Sequence, residues 1–288
     1  MRKLVFIIIN YNDYKTTKRL LDNIKDYKVI DKIYVVDNHS TDDSYENLKK
    51  LKIKRYEVIE TPSNKGFAYA LNIGAKKAID DLGNVDIIFS NSDIIINSNE
   101  DLEDLKKTLD KRIVGLVGPV VVQNGKLNRG WHLPSPKNEI LSNLPGIGKR
   151  FNKKIYYDDS YYKGDSSEVE VISFCFFLIK SEVLKEINYF DDNTFLYYEE
   201  NITASKLKRT QYKTLINNNV TIIHDHSVSV DKNISYINKY KILKQSQMYF
   251  ETNYNNANSI EKILLKVTIR LTLLTLYVRI FLRGGLKK

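Results

Sequence analysis

One cysteine, Cys175, stands in 288 residues; this excludes an internal disulfide, leaves no cysteine cluster for zinc, and fits a reducing compartment. No window reaches the roughly 20 uninterrupted apolar residues of a membrane-spanning helix. The N-terminal run "MRKLVFIIIN" ends its apolar stretch at Asn10, before a secretory core is long enough, and no small-residue cleavage pattern follows. It reads as a first strand. Neither GxGxxG nor GxxxxGK occurs, so the glycine loops of dinucleotide and P-loop folds are missing. There are no repeats, and no linker cleanly separates two domains.

What is present is an apolar fraction of 42%, well above that of a disordered chain and enough for a substantial core. The net charge of +10 suits phosphorylated substrates, nucleic acid or an anionic membrane surface. The positive residues cluster in the tail without a recognition motif, so no nucleic-acid partner is expected.

Strand and helix patterns alternate. "KLVFIIIN" and "IDKIYVVDN" are β-branched runs, and between them Leu20, Leu21 and Ile24 recur at helical spacing. "YEVIET", a helix over "GFAYALNIGAKKAIDDL" and "VDIIFSNSD" continue the series, which predicts a parallel sheet with covering helices. Ligands bind beyond the carboxyl ends of such strands. Three strands end in polar clusters there: Asn10, Tyr11 and Asn12; Asp37, Asn38 and His39; Asn91, Ser92 and Asp93. Residues 124 to 168 read as a long irregular region flanking a cleft.

Asp37 has two readings, a carboxylate that accepts from a nucleobase imide or a ribose hydroxyl, and a neighbour of the caps Ser40, Thr41 and Asp42 for a helix over "DDSYENLKKL". Asn64, Lys65 and Gly66 form a turn before a helix N-terminus, which can face a phosphate. Asp93 interrupts an apolar run, and an unpaired buried carboxylate is strongly penalised, so it needs a partner. A hard cation, Mg²⁺ or Mn²⁺, needs few protein ligands when diphosphate oxygens complete its shell. His224, ending the strand "VTIIH", is the candidate second ligand; the alternative is a histidine in the cleft wall. Glu199 and Glu200 precede a helix, either as a general base with a raised pKa or as acids favourably placed at a helix N-terminus.

The set "IIINYN", "VVDNHSTD", "NKGFAYALNIG", "IIFSNSDI", "FDDNTFLYYEEN" and "IIHDHSVS" resembles the family 2 nucleotide-sugar glycosyltransferases of GT-A fold, particularly rhamnosyltransferase-like enzymes of bacterial capsule, O-antigen and exopolysaccharide assembly. The resemblance implies an α/β fold with a mostly parallel Rossmann-like sheet, helices on both faces, and a metal-dependent inverting transfer from a UDP- or dTDP-sugar. By it, Asn10, Tyr11, Asn12, Asp37, Asn38, Asn64, Lys65, Gly66, Asn91 and Ser92 lie along the donor. Asp93 and His224 hold the metal, and Glu200, with Glu199 behind it, is the base. Two positions depart from the family's pattern: Glu200 stands where an Asp is usual, and Ile202 where a further acid often follows. Trp131 and His132 are the acceptor candidates, with Tyr156, Tyr157, Tyr161 and Tyr162 able to stack on sugar rings.

Residues 1–255 are expected to form the catalytic unit, with a nucleotide half to about 122 and an acceptor half beyond. Residues 256–288 form a basic amphipathic helix. Its stripe is Leu264, Val267, Leu271, Leu274, Val278 and Phe281, opposite Lys262, Lys266, Arg270, Arg279 and Arg283. This is the pattern of a helix lying in an anionic membrane face, and a lipid-linked or other glycan acceptor would suit it. The enzyme would then be cytoplasmic, peripheral on the inner face of the membrane. The alternative is that the stripe packs on the catalytic unit or on a second subunit, making an oligomer. Two rival functions are a sugar nucleotidyltransferase, disfavoured because "NYNDYKTTK" has no glycine, and a catalytically silent membrane scaffold.

Overall fold

The structure, a computed structural model, describes residues 2–225 and 235–282. The first part alternates as the sequence predicts: β1 (Lys3–Asn10), α1 (Tyr14–Ile24), β2 (Lys32–Asp37), α2 (Ser44–Lys49), β3 (Tyr56–Glu60), α3 (Phe67–Leu82) and β4 (Val85–Asn91). Residues 4–10 of β1 are all buried, as an unbroken β-branched run demands of a strand covered on both faces. Alternate residues serve two cores. Val5, Ile7 and Ile9 meet α3, while Leu4, Phe6 and Ile8 meet Leu20, Leu21 and Ile24 of α1. At Gly74 of α3, a Cβ would lie 2.8 Å from Ile7 Cγ2 and 2.9 Å from Val36 Cγ2, so the missing side chain is what seats the helix close on the sheet.

Beyond β4 come β5 (Ile94–Ile95), α4 (Asn99–Leu109), β6 (Val114–Gln123), β7 (Lys126–Asn128), α5 (Pro136–Ser142), α6 (Gly148–Asn152), β8 (Ser166–Val169) and β9 (Phe176–Lys180). α7 (Ser181–Glu186), α8 (Glu199–Leu207) and β10 (Lys213–His224) follow. The sheet runs β3-β2-β1-β4-β9-β6-β10-β5, with β7 beside β6 and β8 beside β10. Its β3-β2-β1-β4 half is parallel. Past β4 it turns mixed, because β9 is antiparallel to both β4 and β6.

Two local expectations change. The helix expected from "DDSYENLKKL" starts only at Ser44, because the Asp42 carboxylate accepts from the Ser44 N–H at 2.9 Å and closes a turn there. The region 124–168, expected to be irregular, contains short helices. Ser135 caps α5 by accepting from the Asn138 N–H, and Pro136 occupies the first turn, where its missing N–H costs nothing.

Two further helices, α9 (Tyr236–Asn253) and α10 (Ser259–Leu282), complete the described chain. α10 rests on α5 and α9. Its buried residues are Leu265 and Thr268, and Thr272 Oγ1 donates to the Asn143 carbonyl. The expected stripe from Leu264 to Phe281 is exposed, so it does not pack on the rest of the described chain. Arg283 and residues 226–229 of the "IIHDHSVS" motif lie outside the described residues.

Candidate active site

The parallel register puts Asn10 beside Asp37 and Ile9 beside Asn91, so three polar strand ends share one edge. Asp37 is fully buried. It accepts from Asn10 Nδ2 at 2.7 Å and from the Ser40 N–H and hydroxyl, each at 2.8 Å. Asn10 is equally buried, and its amide oxygen accepts from Thr17 Oγ1 at 2.7 Å. Its role in the structure is therefore to brace Asp37. Asn12, with a left-handed φ of 52°, donates its N–H to Ser40 Oγ and accepts from the Thr41 N–H, which clasps the first two strand ends together. Tyr11 is half-buried beside them.

Asn38 and Asn64 tie the second strand end to the glycine turn. Asn38 Nδ2 donates to Asn64 Oδ1 at 3.0 Å and to the Gly66 carbonyl at 3.2 Å, and Asn64 Oδ1 also accepts from the Gly66 N–H. Gly66 has φ 115°, and a Cβ there would come within 2.3 Å of the Phe195 carbonyl oxygen. The next N–H, from Phe67, donates to that oxygen at 3.0 Å. The Gly66 turn is thus pressed against the loop that leads to the acidic pair. Lys65 is exposed, with its ammonium 5.3 Å from the Tyr69 ring centre.

The break in the apolar run around Asp93 has a topological cause. β4 ends at Asn91, whose N–H donates to the Cys175 carbonyl, and Ile94–Ile95 cross to pair with Ile223–His224 as the separate strand β5. Ser92 and Asp93 make the buried corner between these strands. His224 Nε2 then lies 3.1 Å from Asp93 Oδ1, and the Asp225 N–H donates to the Asp93 carbonyl. Burial opposes charge on His224, but its contacts with Asp93 and Cys175 outweigh it and push its pKa up to about 10. The two residues that the sequence proposed as metal ligands are therefore neighbours, although they are 131 positions apart in the chain.

Among the described residues no three His, Cys, Asp or Glu side chains gather as a metal site. A divalent cation here would depend on Asp93 and His224 plus oxygens from the donor and water, which is an acceptable shell for Mn²⁺ or Mg²⁺. Asp93 Oδ1 is buried against His224 Nε2 at 3.1 Å, so the carboxylate and the imidazole face one point.

The acidic pair opens α8 behind an unusual turn. Tyr197 and Tyr198 both adopt left-handed backbone, with φ of 74° and 72°, which is costly for aromatic residues and persists only where the surroundings enforce it. Glu199 is buried, and burial with the neighbouring Glu200 pushes its pKa up to about 8. Its Oε1 has no hydrogen-bond partner. Burial also raises Glu200, against hydrogen bonds from its own N–H and that of Phe174. Only Glu200 of the two lines the adjoining cavity, of about 370 Å³.

That cavity lies between α5, α6, α8 and α9, and Trp131, Tyr156 and Tyr198 supply aromatic wall. Trp131 Nε1 donates to Asn201 Oδ1 at 3.3 Å. His132 is not in the wall. Its ring is tilted by 41° against that of Tyr157, with centroids 3.8 Å apart, and contacts Glu170, while Tyr157, Tyr161 and Tyr162 pack on one another. Sequence reasoning missed Glu139, Lys244 and Gln247, which also line the cavity. Their only local signal was a charged or amide residue on a helix, which usually marks a solvated face.

A sequence profile described as glycosyl transferase family 2 matches residues 5–188. Among curated proteins, the low-salt glycan biosynthesis hexosyltransferase Agl10 of Haloferax volcanii is 23% identical over 201 residues. The match spans 68% of this chain but only 59% of that protein. The Pyrobaculum calidifontis mannosyltransferase PcManGT, solved with GDP-Man and Mn²⁺, superposes with a TM-score of 0.60 at 15% identity, covering 99% of this chain and 77% of that one. GalNAc-T7, solved with UDP, GalNAc and Mn²⁺, gives a TM-score of 0.61 at 16% identity, over 93% of this chain and 54% of that one. Staphylococcus aureus TarS, residues 1–349, gives 0.55 at 16% identity, over 94% and 71%. The architecture shared with these structures is the GT-A fold.

Proposed function

The chain belongs to glycosyl transferase family 2, and from that premise we propose that it is an inverting glycosyltransferase. It would move a hexosyl or rhamnosyl unit from a UDP- or dTDP-sugar to a glycan or lipid-linked acceptor in assembly of a bacterial capsule, O-antigen or exopolysaccharide. The observation that carries this reading is the union of two features in one fold: a strand-end crevice holding Asp37, Asp93 and His224, and a neighbouring cavity walled by Glu200 and Trp131.

On this reading Asp37 meets the base or ribose by exchanging one of the hydrogen bonds that Asn10 and Ser40 give its buried carboxylate. Asn64, Lys65 and Gly66 flank the diphosphate, and Tyr11, Asn12, Asn38, Asn91 and Ser92 complete the donor wall. Asp93 and His224, once its imidazole gives up the proton it holds against Asp93, would hold a divalent cation, which would supply charge neutralisation to the leaving diphosphate. Glu200 takes the proton from the acceptor hydroxyl. The acceptor oxygen then bonds to the anomeric carbon as that carbon's bond to the diphosphate oxygen breaks on the opposite face, so configuration inverts. The structurally similar glycosyltransferases solved with Mn²⁺ and the pairing of Asp93 with His224 support the metal.

Residues 1–255 act as the catalytic unit on this reading, and 256–288 as a membrane-contact segment that includes α10. The exposed apolar stripe of α10 beside Lys262, Lys266, Arg270 and Arg279 supports a peripheral attachment to anionic lipid. No described helix is long and apolar enough to cross a membrane.

The test is a donor panel. UDP-, dTDP- and GDP-sugars are offered with Mn²⁺ or Mg²⁺ to the wild type and to Asp93→Ala, and nucleotide release and thermal stabilisation are followed. One nucleotide should stabilise the protein only with metal, and Asp93→Ala should abolish the effect. Stabilisation that survives the substitution would remove Asp93 from the site, and no binding by any nucleotide would favour a silent scaffold.

A further inference from the structure

The reading of the cavity beside Glu200 as the acceptor site leaves one of its wall residues unexplained. Lys244, on α9, lines the cavity one turn before Gln247. Among the described residues its ammonium makes no hydrogen bond or ion pair, and its Nζ stands 5.3 Å from the centre of the Tyr240 ring. Lys244 is half-buried, and a partly desolvated ammonium ordinarily finds an acceptor, because its charge is costly to desolvate.

Glu139, the acid close enough to interact with it, is already engaged. Both Glu139 oxygens lie 3.0 Å from the Tyr198 hydroxyl, and Oε2 also accepts from Gln247 Nε2. Gln247 is in turn held by Asn143, whose Nδ2 donates to Gln247 Oε1 at 3.1 Å. The Glu139 carboxyl therefore organises the cavity floor and does not close an ion pair with Lys244. Burial raises the Glu139 pKa and pushes that of Lys244 down to about 8, so both charges are costly here and an incoming anion would restore the ammonium's.

The segment that supplies Phe151 and Asn152 to the cavity wall is basic: Lys149, Arg150, Lys153 and Lys154 are exposed beside them in the chain. Such local positive charge attracts anions.

We propose that Lys244 makes this cavity selective for an acceptor that carries an anionic oxygen group, either a carboxylate on an acidic sugar or the phosphate that joins a sugar to its carrier. Such a group supplies the acceptors that the ammonium lacks, while Trp131 and Tyr156 cover the sugar ring and Glu200 meets its hydroxyl. A neutral sugar satisfies at most the hydrogen bonds and leaves the charge unmatched.

The experiment measures binding of methyl β-glucuronide, glucose 1-phosphate and methyl β-glucoside to the full chain by ligand-observed NMR, with Lys244→Gln and Lys244→Arg in parallel. At least one anionic probe should bind about tenfold or more tightly than the neutral glucoside, as expected of a charge-assisted hydrogen bond. That preference should vanish in Lys244→Gln and persist in Lys244→Arg. The arm that wins identifies the carboxylate or the phosphate as the group read. Equal binding of all three, or a preference that survives Lys244→Gln in a variant of unchanged melting temperature, overturns the role of Lys244 and leaves the acceptor site standing. If none of the three binds to protein that does bind a nucleoside diphosphate, the acceptor reading of the cavity fails, and this proposal fails with it.

Discussion

Two adjacent glutamates in one helical turn have different surroundings, and that difference assigns them different work. Glu200 reaches the cavity, whereas Glu199 is sealed beneath it with one oxygen unpartnered. Glu200→Gln should therefore cut turnover by about 10² to 10⁴ and leave nucleotide binding intact, as steady-state kinetics and a titration would show. Glu199 should reveal itself through stability. Its pKa is pushed from 4.5 up to about 8 by burial and by Glu200, so above the ordinary carboxylate range the folded protein binds a proton that the unfolded chain has released. Stability from this group is fully present at low pH and is lost as pH rises through the folded value. Urea unfolding of wild type and Glu199→Gln between roughly pH 5 and 8.5 should show the wild type losing ground with rising pH, up to a few kcal/mol. Parallel curves would show that Glu199 ionises as freely in the fold as outside it.

At the scale of elements, the strands and long helices of residues 1–91 were legible because β-branched runs and helical spacing each have a single period there. The turns were less so. Nothing in "NTFLYYEE" announces two consecutive left-handed tyrosines, since neither residue favours that conformation. The contact between the Gly66 turn and Phe195 was equally invisible, as 129 positions separate them. That contact couples the Gly66 turn to the loop before the acidic pair. Gly66→Ala places a methyl group against the Phe195 carbonyl at a φ of 115°, and should cost about 2 kcal/mol or more together with donor affinity. Thermal unfolding and a nucleotide titration are the checks, and an unchanged variant would mean that the two loops are not pressed together.

For the whole molecule, the placement of α10 matters most. Its apolar stripe and flanking cations were readable from spacing, but spacing could not say which side would be covered. Leu265 and Thr268 face the protein, while Leu274 and Phe281 remain 61% and 82% exposed. Vesicles containing anionic lipid should therefore sediment the protein, neutral vesicles should not, and raising salt from about 0.1 M to 0.5 M should release it. Leu274→Asp with Phe281→Asp should abolish sedimentation without lowering the melting temperature, because neither side chain is packed. Sedimentation that persists in the double variant would assign the contact to another surface.

The sequence by itself determined the alternating α/β order, the polar strand ends and the identity of Asp37, Asp93 and His224 as candidates, because periodicity and strand-end chemistry are local properties; Glu200 was chosen through the family resemblance of "FDDNTFLYYEEN". Only the tertiary structure decided which candidates meet. The crossing of Ile94–Ile95 to pair with β10 sets Asp93 against His224. The packing of α9 against α5 turns Glu139, Lys244 and Gln247 from helix-surface residues into one cavity wall. Both are contacts between segments about a hundred residues or more apart in the chain, and no local pattern encodes them.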